Sequence, residues 1–273
     1  MTDPSDERGI LYPAALPRFH RYPAPVDLSD RIRWLWNPVW DLPPGESSRQ
    51  NLLPFPASNL VVDPTGVSLV GPTTGASHRE LSGSGWAFGA LLRPAGIAAL
   101  HPDPRAIADS EVPFAAPALH RSVTTAMQDG GEEHDRDRAA ESFTAWLREN
   151  LAPPDEGGLL ANAMEDLIAD RSLVRVDEVA VRLSISVRGV QRIAQRYVGL
   201  PPLTIIRRYR LQEAAQRLRE DPTLSIARVA AELGYADHAH LSTDFRRVLG
   251  FTPLSYRGDP IHSPRHRTES GGR

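Results

Sequence analysis

The spacing of apolar residues changes character near the middle of this 273-residue chain. From about residue 26 to 115, short apolar runs alternate with Pro-, Gly- and Ser-rich turns, as in "NLLPFPASNLVVDPTGVSLVGPTTG". Runs of this length bounded by turn residues predict consecutive β-strands. The clearest of them are Asn59–Val62, Val67–Val70 and Trp86–Leu92. We therefore expect a β-rich N-terminal unit.

Helical spacing dominates from residue 117 onward. A helical stretch over 117–150 ends with "ESFTAWLREN", and "LAPPDEGG" (151–158) interrupts it and predicts a linker. After the linker, apolar residues recur at i, i+3, i+4, i+7 and i+8, which places them on one helical face. They are Leu160, Ala163, Met164, Leu167 and Ile168. Helical spacing continues to about residue 257.

An internal repeat lies within the helical half. The segment "VDEVAVRLSISVRGVQRIAQRYVGLPPL" (176–203) aligns with "IARVAAELGYADHAHLSTDFRRVLGFTPL" (226–254) when the second turn has one extra residue. Each copy predicts an apolar helix, a short turn, an N-cap (Ser186 or Asp237) and a second helix with outward polar residues. Such a pair is a helix-turn-helix, whose second helix fits the major groove of DNA. A helical bundle with a chance repeat is the alternative.

A long helix is predicted between the two copies, over about Pro202–Glu220. At about 1.5 Å per residue it spans about 28 Å. This is somewhat less than the roughly 34–36 Å between successive turns of one major groove. A rod of this length lets one chain read an asymmetric site, with some DNA bending or one helix only lightly inserted. Its apolar face carries Leu211, Ala214, Ala215 and Leu218.

The charge distribution points to a polyanion as the partner of the helical half. The net charge of −3 hides an asymmetry: residues 1–170 hold 13 Arg against 24 acidic residues, and residues 171–273 hold 18 Arg against 10. The two parts therefore carry −11 and +8. An acidic body joined to a basic unit is typical of a protein with one nucleic-acid-binding domain. Every basic residue is Arg, which favours bidentate contacts to phosphate and guanine.

With these motifs in this order, residues about 160–257 resemble the DNA-binding domain of the AraC/XylS family of bacterial transcription regulators. The matching pieces are "SVRGVQRIAQRYVG", "IRRYRLQEAAQRL", "SIARVAAELGYADHAHLSTDFRRVLGFTP" and the closing "YR". Residues about 20–115 resemble the sensor region of one branch of these regulators, through "YPAP", "WLW", "LLPFPASNLVV", "LVGPTT" and "FGALLRPAG".

The resemblance implies an α+β chain with two functional domains. The N-terminal one would be a cupin-like barrel or half-barrel with supporting helices that senses a ligand and dimerises. The C-terminal one would be all-α, with two helix-turn-helix units and a linker helix. The predicted boundaries are a flexible arm (1–20), a sensor and dimerisation domain (21–150), the linker (151–158), a DNA-binding domain (159–258) and a disordered tail (259–273).

The resemblance places the base-reading positions of the first unit on Arg188, Gln191 and Arg192. Their i, i+3, i+4 spacing puts them on one face, while Val190 and Ile193 point to the core. Arg suits guanine and Gln suits adenine, each through two hydrogen bonds. For the two Arg, a phosphate contact or a solvated charge is the alternative.

In the second unit the corresponding positions fall on His238, Ala239, His240, Ser242 and Thr243. Thr243 stands where the family often has Arg, which favours backbone anchoring over base reading there. The base candidates of this unit are His238, His240 and Thr243. The phosphate candidates of both units carry a hydroxyl or a guanidinium: Ser186, Arg196, Arg207, Arg208, Ser242, Arg246 and Arg247.

The remaining candidates are residues of a possible ligand pocket in the N-terminal domain and of the core of the second helix-turn-helix unit. Arg93 or His78 could hold an acidic ligand group in the sensor domain, but the tryptophans there fit a core or a dimer face equally well, so no ligand contact is assigned. The candidate pocket tryptophans are Trp34, Trp36, Trp40 and Trp86. In the second helix-turn-helix unit, the predicted core residues are Tyr235, Phe245, Leu249, Phe251 and Leu254.

The residue inventory gives little support for catalysis. The chain has no Cys, which excludes disulfides, thiolate metal sites and cysteine nucleophiles. His78 and His101 lack the second nearby His of a cupin metal site, and His238 and His240 lie on different sides of a helix. We therefore expect no enzymatic activity, no metal and no cofactor. Two alternatives stay open: a constitutive DNA-binding regulator whose N-terminal half only dimerises, and an enzyme domain fused to a DNA reader.

The expected partners and location follow from the same features. Candidate partners are double-stranded DNA, a small-molecule effector, RNA polymerase and a second copy of the chain. The N-terminal "MTDPSDERGILYPAALP" lacks the pattern of a signal peptide, and no run of about 18 apolar residues exists. We therefore expect a cytoplasmic protein that does not engage the membrane.

Overall fold

The structure is a computed structural model that describes residues 18–52, 54–128, 132–170, 175–221 and 223–258. Residues 1–17 of the predicted arm and the predicted tail (259–273) lie outside the described residues. The part of the predicted arm that is described, residues 18–20, already belongs to a strand.

The N-terminal half folds into strands, as its alternating apolar and turn residues predict. The strands are β1 (Arg18–Pro23), β2 (Ile32–Asp41), β3 (Ser47–Leu52), β4 (Asn59–Asp63), β5 (Gly66–Val70), β6 (Ser77–Ser82), β7 (Ser84–Trp86), β8 (Phe88–Leu92) and β9 (Glu111–Pro113). The prediction of three strands is confirmed with one change: the run Trp86–Leu92 is divided between the end of β7 and β8.

Seven of these strands form one antiparallel sheet in the order β1-β2-β8-β4-β5-β9, with β7 paired to β2. The remaining two, β3 and β6, form a separate two-stranded sheet. Among the described residues the larger sheet does not close on itself, because its path ends at β1 and β9. The N-terminal region is therefore β-rich as predicted, with an open main sheet among the described residues.

Three helices accompany the sheet: α1 (Pro94–Leu100), α2 (Pro117–Ala126) and α3 (Glu133–Asn150). The main core lies between one face of the sheet and α2 and α3, where Phe88 contacts Phe143 at a ring-centroid distance of 5.6 Å. Side chains alternate along β2, so Leu35 faces this core while Trp34 and Trp36 belong to a smaller cluster with Phe55. The sheet therefore buries aromatic residues on both faces.

The C-terminal half is helical throughout the described residues. Its helices are α4 (Glu156–Ala169), α5 (Val176–Arg182), α6 (Val187–Tyr197), α7 (Pro202–Glu220), α8 (Ile226–Glu232), α9 (His238–Leu249) and α10 (Pro253–Gly258). The predicted linker is shorter than 151–158, because the Asp155 side chain accepts a hydrogen bond from the Gly158 backbone N–H at 2.6 Å and α4 begins at Glu156.

Two separate cores flank α7, the predicted linker helix, whose bounds the structure confirms. Ile205 and Tyr209 belong to the core of the first helix-turn-helix unit. Leu211 and Leu218, which follow Tyr209 by two and nine residues, belong to the core of the second. One helix therefore contributes to both units.

One predicted core residue is wrong. Leu254 is 61% exposed, whereas Tyr256, two positions later on α10, is buried. Residues two apart on a helix point to different sides, and Tyr256 is the one that packs against Phe245 and Phe251 at 5.7 and 5.8 Å between ring centroids. The other four predicted positions do lie in this core.

Helix α4, which packs in the core of the first helix-turn-helix unit, is joined to the N-terminal domain by a cluster of ion pairs. Glu165 on α4 forms an ion pair with Arg33 on β2 at 3.0 Å, and Arg93 pairs with Asp166 at 2.6 Å. Burial lowers the pKa of Arg33, but the Glu165 carboxylate more than offsets this and raises it overall. The buried side chain of Asn162 adds hydrogen bonds to the backbone of the N-terminal domain in both directions.

The second unit also touches the N-terminal domain. The amide of Gln212, fully buried on α7, donates to the Pro54 carbonyl oxygen at 2.9 Å. The Ala76 backbone N–H donates to the Val248 carbonyl oxygen near the end of α9 at 3.0 Å. Helices α4 and α7 and the second helix-turn-helix unit are thus in contact with the N-terminal domain. None of the helices in the described ranges is long and apolar enough to cross a bilayer.

Candidate nucleic-acid interface

The first helix-turn-helix unit consists of α5 and α6 joined by a short turn. Ser184 in the turn has φ of +54°, and Ser186 caps α6 by accepting from the Gly189 N–H at 3.1 Å. On α6, Arg188, Gln191 and Arg192 are exposed, while Val190 and Ile193 are buried as predicted. Three polar side chains therefore share an open face, in the arrangement that a major-groove reader needs.

The second unit consists of α8 and α9. Gly234 in its turn has φ of +70°, where glycine is favoured, and Asp237 caps α9 by accepting from the His240 N–H at 2.7 Å. His238 and Thr243 are exposed. The ring of His240 is exposed as well but leans edge-on against Tyr235, with 5.2 Å between ring centroids.

A buried carboxylate organises this second helix, and the sequence reading missed it. Asp244 is 4% exposed, accepts from the Tyr235 hydroxyl at 3.2 Å and pairs with Arg247. Burial, followed by the Asp244 charge, raises the pKa of Tyr235. The sequence signal was present in the Asp-Phe-Arg-Arg motif, but an Asp between polar helix positions gives no sign from spacing alone that it is buried.

Most of the phosphate candidates are available at the surface. Arg246 and Arg247 are exposed in the last turn of α9. Arg196 is exposed at the end of α6, and its guanidinium carbon lies 5.3 Å from the centroid of the Tyr197 ring. Ser242 and Arg207 are half-buried, and Ser186 is exposed although its hydroxyl is used as a helix cap.

Arg208 does not fit its predicted role. The residue is only 8% exposed, and burial lowers the pKa of its guanidinium although the Asp244 carboxylate acts in the opposite direction. Arg207 and Arg208 are neighbours on a helix, so they point in different directions, and Arg208 is the one that turns into the protein. Arg208 is therefore the least exposed of the predicted phosphate contacts.

The candidate pocket residues of the sensor domain separate into two groups. Trp34 and Trp36 line a cavity of about 200 Å³ together with Phe19, Arg21 and Phe55. Trp40 instead donates to the Ser82 carbonyl oxygen at 3.3 Å, and Trp86 packs against the main core.

The two candidate anion-binding residues lie elsewhere. Arg93 pairs with Asp166, and His78 is exposed on β6. The tryptophan count alone could not reveal Phe19, Arg21 or Phe55, because the cavity forms where separate strands and a loop meet. In the described ranges, no group of three or more His, Cys, Asp or Glu side chains is placed to hold a metal ion.

Two helix-turn-helix units that share one core-spanning helix define a tandem DNA-binding domain. Two family models match the N-terminal and the C-terminal half of the chain separately. Residues 179–259 match the HTH_18 family, a helix-turn-helix domain, and residues 20–113 match DUF6597, a domain of unknown function. Residues 179–259 therefore match a helix-turn-helix domain family.

Individual relatives support the same assignment. The HTH-type transcriptional activator RhaS of Escherichia coli (strain SE11) is 35% identical over 112 residues, 41% of this chain and 39% of that protein. An AraC-like transcription regulator of Streptomyces antibioticus is 32% identical over 126 residues, 46% of this chain and 40% of that protein. The matches thus span about two-fifths of these curated relatives.

Among solved structures, ToxT from Vibrio cholerae O395 is 12% identical, with a TM-score of 0.44 over 82% of this chain and 97% of that one.

Proposed function

We propose that this protein is a sequence-specific DNA-binding transcription regulator of the AraC/XylS type, controlled by a small molecule bound in its N-terminal domain. The observation that carries the proposal is the pair of capped recognition helices, α6 and α9, each with an exposed polar face. They lie in the half of the chain that carries +8, against −11 in the other half. A basic half with two exposed helices suits a duplex with two groove segments.

The proposed roles of individual residues follow from exposure. Arg188, Gln191 and Arg192 read base edges from α6, with Gln191 suited to adenine. His238, His240 and Thr243 are the base candidates of α9, and the short side chain of Thr243 favours positioning on the DNA backbone over base readout at that point. The phosphate contacts come from the exposed or half-buried candidates: Ser186, Arg196, Arg207, Ser242, Arg246 and Arg247.

The proposed partners extend beyond DNA. A second copy of the chain would dimerise through the N-terminal domain, and RNA polymerase would be engaged at the promoter. A regulator of bacterial promoters works in the cytoplasm, where the DNA is. In this role the chain has no catalytic function.

The cavity beside Trp34 and Trp36 favours effector control over constitutive binding. An effector can change DNA binding only if it binds one arrangement of the molecule more tightly than another. Phe55, a wall of the cavity, contacts Tyr209 on the linker helix with 5.9 Å between ring centroids. A ligand in the cavity would therefore lie one residue away from the helix that both DNA-binding units share.

The proposal is tested by selection of DNA fragments bound by the full chain, followed by a salt titration on the selected duplex. Arg246→Ala removes one exposed guanidinium near the end of α9. We expect it to weaken binding to all duplexes and to lower the slope of log K against log [salt] by about one.

Arg121→Ala is the matched control, because it removes the same charge from an exposed position on α2. An unchanged salt slope for Arg246→Ala would remove this residue from the phosphate contacts. Failure of the full chain to enrich any sequence over random DNA would contradict the function itself.

A further inference from the structure

An exposed valine stands at the start of the first recognition helix. Val187 is the first residue of α6, directly after the cap residue Ser186, and it is 39% exposed. We propose that Val187 recognises the C5-methyl group of one thymine in the major groove, beside the base that Gln191 reads. This inference rests on the proposed function, because it names the base that one further side chain of the same DNA-binding surface selects.

The fold of α6 does not require a valine at this position. The other apolar side chains of the helix serve the core, since Val190, Ile193, Ala194 and Tyr197 are all buried. The first turn of a helix favours Pro or acidic side chains, and a β-branched side chain loses χ1 freedom in a helix. Neither core packing nor helix formation therefore accounts for Val187.

Val187 shares a helical face with the proposed base readers. Residues four apart lie on the same side of a helix, and Gln191 follows Val187 by four positions. Arg188 and Arg192 lie beside this pair and are exposed as well. The N-terminal residues of a recognition helix are the ones that contact base edges in the major groove. A single exposed valine is ordinary on a protein surface, but this one lies within the patch proposed to meet DNA.

The chemistry of the valine side chain selects one base. In the major groove, thymine differs from the other three bases by its C5-methyl group, which apolar side chains contact. The two γ-methyl groups of Val187 can bury this methyl group, but they cannot form a hydrogen bond with N4 of cytosine or O6 of guanine. A polar base edge placed against Val187 would lose its water without gaining a partner, which costs free energy. The contact therefore favours thymine.

The length of one helical turn limits where this thymine lies. Val187 and Gln191 are separated by about 6 Å along the helix axis. Successive base pairs of a duplex are about 3.4 Å apart. The thymine should therefore lie within about two base pairs of the pair that Gln191 reads.

The second helix-turn-helix unit provides an internal comparison. Its recognition helix α9 begins with His238, which also follows its cap residue, Asp237, directly. The exposed imidazole of His238 carries ring nitrogens that form hydrogen bonds, whereas the valine has none. We therefore expect this kind of methyl recognition in the groove segment that α6 enters and not in the segment that α9 enters.

Replacement of single thymines by deoxyuridine tests the contact, with the full chain and its selected duplex. Deoxyuridine pairs with adenine as thymine does but lacks the C5-methyl group. We expect one position at which this replacement weakens binding about threefold to fivefold, as for the loss of one buried methyl group. It should lie within about two base pairs of the pair whose preference changes in Gln191→Ala. The proposal is overturned if no thymine in that range is sensitive.

Val187→Ala then connects the methyl group of the base to the side chain. This variant should bind the thymine duplex about threefold to fivefold more weakly than the unchanged chain, and it should bind the thymine and deoxyuridine duplexes equally. Val181→Ala is the matched control, because it shortens an exposed valine on α5 of the same unit. The control should keep the full deoxyuridine effect.

An undiminished deoxyuridine effect in Val187→Ala would show that another group contacts the methyl, and it would overturn the assignment. Ala is a stronger helix former than Val, so we expect this variant to fold. Val187→Thr, which replaces one methyl group by a hydroxyl, serves if it does not. The Thr variant should also reduce the deoxyuridine effect, and an undiminished effect there would overturn the assignment in the same way.

A repeated selection separates this inference from the proposed function. Duplexes selected by Val187→Ala should lose the preference for thymine at the sensitive position and keep the other preferences of the site. Retention of the thymine preference would overturn the role of Val187. Selection of a specific duplex by a chain that is insensitive to deoxyuridine would also overturn this role and leave the DNA-binding function standing. Enrichment of no duplex would contradict that function itself.

Discussion

Few side chains are proposed to recognise DNA bases, and their surroundings differ. Gln191 is exposed on α6 between two arginines of the same face, Arg188 and Arg192. An amide can donate to and accept from one adenine, whereas a guanidinium also binds any phosphate. Gln191 is therefore the residue at which base recognition can be separated best from general affinity.

Replacing Gln191 with Ala should alter which sequences are bound. We expect a loss of roughly 1–3 kcal/mol at one base pair of the selected site and little change on random duplexes. Repeating the selection with the variant, and measuring its affinity for single-base substitutions of the site, checks this. Gln128→Ala, an exposed Gln of the N-terminal domain, should leave the preference unchanged. Equal losses on specific and random DNA would contradict base reading.

Single residues also show what could not be predicted from the amino-acid sequence. The exposed face of α6 followed from i, i+3, i+4 spacing, and the buried face of α7 followed from its apolar residues. Arg207 and Arg208 could not be told apart, because their difference arises from what packs against α7 rather than from the helix itself. Asp244 was missed for a related reason: its burial depends on Tyr235, nine positions away.

Among elements, the recognition helices show how local chemistry sets a boundary. Both begin at a side chain that accepts a backbone N–H: Ser186 for α6 and Asp237 for α9. Both caps were predicted from sequence, since N-capping depends only on neighbouring residues. A cap fixes the residue at which the helix starts, and it therefore determines which side chains lie on the exposed face of the helix.

Asp237→Ala should destabilise the chain by about 1 kcal/mol, since the His240 N–H loses its acceptor. Asp237→Asn retains a side-chain oxygen and should be nearly neutral. Chemical denaturation followed by circular dichroism measures both changes. A similar loss for Asn and Ala would indicate that the negative charge, rather than the hydrogen bond, is what matters at this position.

Sheet elements were predicted less completely than helices. The runs that became β4 and β5 were recognised because each is apolar and bounded by turn residues. Pairing of β2 with both β1 and β8, and of β4 with β8, joins residues far apart in sequence, and spacing within a strand does not report it. For this reason the sequence predicted a barrel or half-barrel, and the cavity walls could not be assigned beyond the tryptophans.

For the molecule as a whole, the contact between the two domains depends on specific buried polar contacts. Glu165, which is 3% exposed, lies between Arg33 of the sheet and the hydroxyl of Tyr209 on α7, which donates to it at 3.1 Å. A buried ion pair adds little net stability over an apolar pair, but loss of one partner leaves an uncompensated buried charge. The interface is therefore sensitive to change at Glu165.

Glu165→Ala should lower the free energy of unfolding by about 3–5 kcal/mol, because the largely buried Arg33 keeps only its 3.5 Å contact to the exposed carboxylate of Asp166. Asp166→Ala, one position later and 57% exposed at its side chain, should cost no more than about 1 kcal/mol. Denaturant titration of both variants compares them directly. Equal effects of the two substitutions would show that the buried Glu165 contributes no more to stability than the exposed Asp166.

The fit of Gln212 against Pro54 limits how the two halves of this chain can be exchanged. A hybrid that joins this helical half to an unrelated N-terminal domain would leave the buried Gln212 amide without its acceptor, the Pro54 carbonyl oxygen. New specificities are thus more accessible by changing the outward residues of α6 or the cavity walls one at a time than by exchanging whole modules. The two halves should be inherited as a unit.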